Sequence, residues 1–534
     1  MEMFGLFGMF VLGLAPIIWL VVALCVMKIP AHVAAAGALA VAAVLSMAFW
    51  GMSVVNMLTA TLEGMAMAIW PIVIVIIAAV FTYNVTVHTG AIETIKGMLT
   101  SVSSDRRVLA LLIAWCFGGF LEGMAGFGTA VAIPASMMMA LGFNPITAIL
   151  ACLLANGVPT MFGSIGIPTT TLASVTGLDP VQLALTQALQ VAPFVAATPF
   201  LIVMLVGGGV KSLKKMVPLT LVAGLSTTLP EIASAAFIGA DLPMVVASVV
   251  SLALTFVCAL KLSPSPVPAE YDLRANVSGD AADATDAEAV GAGQLTAGVA
   301  LRAWCPFILV FVVLVLTSKL VPFVNQPLSA IKTTVNIYQG NPDATLTFSW
   351  VNTPGVLILV CGVAGALVQG CSMGETLGVL KDTCVQMSKT ILTMLAVLGC
   401  AKVMSYSGMI SSIAAFFVGT LGAFYPLVAP VLGALGTFVT GSGTSSEVLF
   451  GTVQYDAATA IDAQSESLKY WLCAANSLGV SAGKMISPQN IAIGCAACGL
   501  IGKDGEILGK IAKYAFAFLV VMAVFVYVGS VMGL

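Results

Sequence analysis

Runs of about 20 apolar residues recur from one end of the chain to the other, each long enough to cross a hydrocarbon core of about 30 Å. Short polar connectors separate them. The pattern predicts an all-α polytopic membrane protein with roughly 12–14 transmembrane helices. The first run, residues 4–27, is longer than a signal-peptide core, lacks a basic start and reads as an uncleaved first span. The run 54–87 exceeds one span and holds Glu63 and Pro71, so a kink or a surface segment is expected there. Residues 91–107 are amphipathic and charged, as a cytoplasmic connector should be.

The polar positions also give orientation. Lys28 and the pair Arg106 and Arg107 flank early spans, which puts their loops in the cytoplasm and the N-terminus outside. The segment 207–215 (GGGVKSLKK) and Lys503, Lys510 and Lys513 also read as cytoplasmic. The weakly charged loop 325–349 reads as extracytoplasmic. Residues 263–300, rich in Pro, Ala, Asp and Ser, show no apolar periodicity and read as a flexible polar linker. The linker divides the chain into a first transmembrane half, 1–262, and a second, 301–534.

Composition narrows the function. Hydrophobic residues make up 60% of the chain and charged residues 8%, more apolar surface than a soluble fold could hide. The net charge of −3 leaves no basic footprint for nucleic acid. The twelve cysteines lie mostly in apolar runs. The one CxxC, Cys495 and Cys498, has no second pair and no nearby histidine, so it reads as helix packing and not as a metal site. His32 and His88 are the only histidines. No cofactor and no metal is expected. The Ser-rich stretch TGSGTSS lacks the base that a serine nucleophile needs, so no enzyme is expected either.

The halves echo each other. ANGVPTMFGSIGIP places Asn156, Gly163 and Pro168, and ANSLGVSAGKMISP places Asn476, Gly483 and Pro488, each 320 positions later. Gly123 and Gly443 share that offset. Thr89-Gly90 and Ser407-Gly408 stand 318 apart. The connector after Gly90 is basic at its end, whereas the stretch after Gly408 is uncharged, so one copy would face the cytoplasm and the other the outside. This is the signature of two inverted repeats, about 70–205 and about 388–534, with broken helices and re-entrant segments near the midplane.

Four segments break the apolar pattern at membrane depth: 117–128, 156–171, 440–447 and 476–490. Irregular backbone is tolerated in a bilayer only where protein or a water-filled cavity covers it. Helix starts there would offer free N–H groups and positive dipole ends to a small anion such as a carboxylate. The candidate ligands are Gly123, Gly126, Asn156, Thr169, Ser442, Thr444, Ser445, Asn476, Lys484 and Gln489. A charge at this depth is costly and points to function. Glu122, among Gly118, Gly119, Gly123, Gly126, Gly128 and Gly142, is the first candidate to carry a proton, and Glu447 is the second. The alternative for each is a structural carboxylate. Lys402 and Lys484 are candidate counter-ions for substrate or for Glu122, with snorkelling as the alternative for Lys402.

At these residues the chain resembles the L-lactate permease family of bacterial transporters. The stretches that carry the likeness are WPIVIVIIAAVFTYNVTVHTG (70–90), SSDRRVLALLIAWCFGGFLEGMAGFGTAVAI (103–133), TGSGTSSEVLF (440–450) and AGKMISPQNIAI (482–493). The resemblance implies a multi-pass protein of the bacterial plasma membrane that imports lactate, glycolate or a related 2-hydroxy monocarboxylate with protons. Sodium coupling, or another organic anion, is the alternative. Membrane lipid is an expected partner, and a homodimer is one open assembly. One departure stands out. The family pattern reads TGSDTSSN, with an acid where this chain has Gly443 and Asn where it has Glu447. Four residues make one helical turn, so the acid would keep nearly the same face.

Overall fold

The computed structural model describes residues 5–27, 29–124, 126, 128–273, 296–318, 320–342, 344–500 and 503–533. Helices α1 (Gly5–Val21) and α2 (Ala31–Trp50) come first. Then come α3 (Val54–Met67) and α4 (Ile74–His88). Ser53 caps α3 by accepting from the Asn56 N–H. Trp70 leaves the helical region at φ −129, ψ 116, immediately before Pro71. The proline ring crowds the residue before it out of the α conformation, which is the expected kink. A connector helix, α5 (Ala91–Thr100), leads to α6 (Arg106–Ala110). That helix continues through Leu111–Phe117 into α7 (Gly118–Met124).

Gly128, at φ 88, starts α8 (Thr129–Ala140). Capped by Asn144, α9 (Pro145–Gly157) passes through a tight turn at Val158–Phe162 into α10 (Gly163–Thr176). Ser164, Ile165 and Gly166 are left-handed there, with φ of 47, 57 and 68. The half closes with α11 (Pro180–Gly207), α12 (Val217–Phe237) and α13 (Pro243–Leu262).

The second half opens with α14 (Ala297–Thr317) and α15 (Pro322–Ser329). A hairpin follows, β1 (Lys332–Val335) against β2 (Leu346–Ser349), antiparallel with Lys332 opposite Ser349. This small sheet sits in the segment expected outside the membrane, in a chain otherwise read as all-α. Next come α16 (Pro354–Gln369), the long α17 (Met373–Ser407), α18 (Met409–Leu421), α19 (Ala429–Thr440) and α20 (Gly443–Ile461). The chain ends with α21 (Glu466–Ile486), α22 (Pro488–Ala497) and α23 (Asp504–Val531). Among the described residues, eleven helical stretches are long and apolar enough to cross a membrane, and four shorter apolar helices accompany them. These helices are those of a multi-pass membrane protein.

Twelve-residue α8 and α19 rise about 18 Å, too short to cross a core of about 30 Å. Each is one arm of a hairpin, α7 with α8 and α19 with α20. The segments after the hairpins run antiparallel to each other. At one end the Tyr470 hydroxyl, near the start of α21, accepts from the Asp179 N–H just beyond α10. At the other, Gly494 of α22 packs on Ile149 near the start of α9. Midway, Ser481 donates to the Val158 carbonyl. Two copies of one motif that cross in opposite directions form an inverted repeat.

One break lies elsewhere than its sequence suggests. The segment 476–490 is helical through Ile486, and the interruption falls at Ser487, before Pro488. Its Gly479 and Gly483 do not end the helix. They let α21 lie against the backbone carbonyls of Pro430 and Ala434 in α19, the small-residue contact that packs helices in lipid.

At the end expected in the cytoplasm, Arg107 is buried and paired with Asp105 at 2.6 Å. Its guanidinium donates to the Ser212 carbonyl, and the Tyr271 ring lies 3.8 Å from it. Residues 263–273, the start of the expected flexible linker, are thus anchored, with Leu273 N–H donating to the Ser104 carbonyl. Residues 274–295 of that linker lie outside the described residues.

Candidate functional site

Glu122 lies in the last turn of α7, near the tip of the first hairpin, and is 1% exposed. Gly163 faces it, and a Cβ there would strike the carboxylate, so the glycine makes the room. Asn156 Nδ2 donates to Glu122 Oε2 at 2.5 Å. Lys484 Nζ reaches Oε1 at 2.6 Å across the boundary between the halves. Both partners of this ion pair are buried.

The second copy repeats the amide but not the cation. Asn476 Nδ2 donates to Glu447 Oε2 at 2.8 Å, and Glu447 Oε1 is buried without a hydrogen-bond partner. Gln454, held by Tyr425, donates to Asn476 Oδ1 and orients it. Each carboxylate therefore meets the asparagine of its own repeat, while Lys484 makes the two sites chemically unequal. Removing a charge from water costs several kcal/mol, and an ion pair with added hydrogen bonds offsets that cost. Glu122 has this offset. Among the described residues, Glu447 has no salt-bridge partner.

Glu122 and Lys484 form part of the wall of a cavity of about 370 Å³. Four helix starts converge on it: α2 at Ala31 and His32, α8 at Gly128 and Thr129, α20 at Ser442 to Ser445, and α22 at Gln489 and Asn490. Each helix start carries a partial positive charge and unsatisfied N–H groups. Ser442 caps α20 through the Ser445 N–H at 3.3 Å. The facing wall is a stripe of α17 made by Gln386, Lys389, Thr390 and Thr393. With two lysines, four positive helix ends and one neutralised acid, the cavity favours a small anion that carries hydroxyl groups.

The structure brings together Glu122, Ser442, Thr444, Ser445, Lys484 and Gln489 on the cavity wall. The other candidates stand behind it. Gly123 packs on Met244, and Gly126 on Ser164. Asn156 and Asn476 are occupied by the two carboxylates. Thr169 donates to Gln187 Oε1, which ties it into the α11 contact. Glu447 is one turn deeper in α20 than Gly443, which does line the cavity.

Gly443 faces Val480 and Glu447 faces Asn476, residues one turn apart on α21. The relocated acid therefore keeps its face of the helix. Lys402 is a counter-ion, but of a different acid: its Nζ lies 3.0 Å from Glu63 Oε1, away from both substrate wall and Glu122. The α17 stripe and His32 were missed. A signal existed, since Gln386, Lys389, Thr390 and Thr393 recur at helical spacing on one face of an apolar helix.

Known proteins bear on this site. The chain matches the L-lactate permease family over residues 9–532. It is 40% identical to an L-lactate permease of Streptococcus iniae, over 87% of this chain and 93% of the relative. It is 32% identical to the glycolate permease GlcA of Escherichia coli, over 98% and 96% respectively. An L-lactate permease of the same species is 33% identical, over 95% and 93%. Among solved structures, the YdaH transporter of Alcanivorax borkumensis aligns with a TM-score of 0.43 and 15% identity, over 86% of this chain and 85% of that one. A match from near the first residue to near the last, with relatives above 30% identity over almost their full length, makes this chain a member of the L-lactate permease family.

Proposed function

We propose that the protein is a secondary transporter that brings lactate, glycolate or a closely related 2-hydroxy monocarboxylate into the cell together with protons. The family and the names of its relatives support the substrate class. The observation that carries the coupling is the Lys484–Glu122 pair in the cavity wall. Among the described residues, Lys484 has one carboxylate partner. When Glu122 takes a proton, that partner loses its charge and the ammonium is free for the carboxylate of a substrate. Proton and anion then enter as a neutral set, which avoids the cost of an unpaired charge at membrane depth. The start of α20 receives the other carboxylate oxygen, and the threonines of α17 read the 2-hydroxyl.

Glu447 has a different part in this scheme. It does not line the cavity and among the described residues has no salt-bridge partner, so it serves to hold α20 to α21 through Asn476.

The test is uptake of labelled lactate and glycolate into vesicles with an imposed pH gradient. Accumulation should follow the proton gradient and ignore replacement of sodium. Glu122→Gln should lose gradient-driven accumulation but keep exchange of internal for external substrate, since Lys484 is then permanently released. Full accumulation in that variant refutes the coupling role.

A further inference from the structure

We propose that Glu63, Lys402, Tyr406 and Tyr338 form the outer gate of the transport path, an ion-pair latch that must part before the cavity can face outward. The inference rests on reading the chain as an alternating-access carrier, but on neither its substrate nor its coupling ion. Glu63 on α3 is 3% exposed. Two groups of α17 converge on its Oε1, Lys402 Nζ at 3.0 Å and the donating Tyr406 hydroxyl at 2.6 Å. The ring of Tyr338, from the turn between β1 and β2, stacks on Tyr406 with centroids 3.8 Å apart and planes at 4°. In the same turn Gln339 N–H donates to Thr59, one helical turn before Glu63. The hairpin is thus tied to α3 and α17 at once.

The place of this cluster gives it a role. Lys402 is eight residues beyond Met394, which lines the cavity, or about 12 Å further along α17 toward the outer end. Between them Gly64 of α3 rests on the Leu398 carbonyl, where any Cβ would collide. The cavity itself reaches His32 and the exposed Lys389, at the other end.

The repeat supplies the contrast. The 318-residue offset that relates Gly90 to Gly408 also relates Asn84 to Lys402. Asn84 likewise crosses to α17, donating to Thr383 and Gln386 at 2.9 Å each. That crossing is neutral, and Gln386 is exposed. One position, read in two copies, gives a neutral amide contact near the inner end and an ion pair with a buried acid near the outer end. Withdrawing Lys402 would leave the Glu63 charge buried and unpaired, which is strongly unfavourable, as a closed outer gate requires. Glu63 Oε2, buried without a partner, leaves the latch incompletely satisfied and so able to part.

The experiment uses the full chain in intact cells with Thr393→Cys on the cavity wall. Labelling at position 393 by a membrane-impermeant maleimide is measured against the same chain without that substitution. Lys402→Gln and Tyr338→Ala should each raise labelling from outside by at least about fivefold, the low end of an allosteric coupling. Asn84→Ala should leave it unchanged or lower it.

Unchanged outside labelling in Tyr338→Ala, with the chain present in the membrane and labelled in inside-out vesicles, overturns the proposal. So does an equal rise in Asn84→Ala, which would mean general loosening. If Lys402→Gln does not reach the membrane, Tyr338→Ala in the surface turn decides alone. Lactate uptake is measured separately on the parent chain with Thr393 intact; if that chain fails to take up lactate while labelling responds, the substrate reading falls and the gate stands.

Discussion

Replacing Lys484 by methionine keeps the side chain's length and removes its charge, leaving Glu122 buried with Asn156 as its remaining partner. At 2.6 Å the pair attracts by about 6 kcal/mol at an effective dielectric constant of about 20. Desolvation takes back much of this, but removing one partner alone typically costs about 3–5 kcal/mol because the other charge stays buried. Lys484→Met should therefore lose about that much stability at mildly alkaline pH. The double variant Lys484→Met with Glu122→Gln should recover most of the loss, because no charge is then left unpaired. The assay is heat denaturation in detergent, read as the monodisperse fraction that remains, for the two single variants, the double variant and the parent. A single variant as stable as the parent at alkaline pH, or a double variant no better than the single, refutes the argument. Substrate binding should fail in both lysine variants whatever their stability.

Glu447→Gln should retain exchange of lactate within about threefold, a change of less than 1 kcal/mol, because a glutamine oxygen can still accept from Asn476; loss of all exchange would place Glu447 in the transport step itself. Gly443→Asp should weaken substrate binding, since it adds an acid to an anion cavity beside Thr160 and Val480, whose methyls would stand 3.1 Å from the new Cβ; adding Glu447→Asn should restore binding if one carboxylate on that face is what the site needs. Gly479→Ala should cost about 1–3 kcal/mol through overpacking, read as folded yield, because its Cβ meets the Pro430 carbonyl. Gly378→Ala, with nothing within 4 Å, should be neutral or mildly stabilising.

Much of this architecture was legible along the chain. Pro71 in an overlong apolar run marked the kink, and the 320-residue offset marked the inverted motif that the Tyr470 and Ile149 contacts display. Broken segments rich in Gly, Ser and Thr marked the helix starts that line the cavity, because a bilayer tolerates such backbone only where it is covered. Asn476 misled. Glycines nearby suggested a break, yet the same residue type serves a turn or a close helix contact, and Gly479 and Gly483 serve the contact. The α17 stripe was written at helical spacing but hidden among apolar neighbours, and only the face it shares with the cavity sets it apart.

The sequence alone determined that the chain inserts in a membrane, that its halves repeat with opposite orientation, and that Glu122 and Glu447 sit at depth. Hydropathy, charge asymmetry and the cost of buried charge are properties of segments, and segments can be read one at a time. Which lysine serves which acid was decided only by the fold. Lys402 and Lys484 look alike in their helices, and both stand more than 300 residues from the acids they meet. Crossing of the two halves sends Lys484 to Glu122 in the cavity and Lys402 to Glu63 at the outer end, because an ion pair depends on a separation of a few ångströms that linear order does not encode.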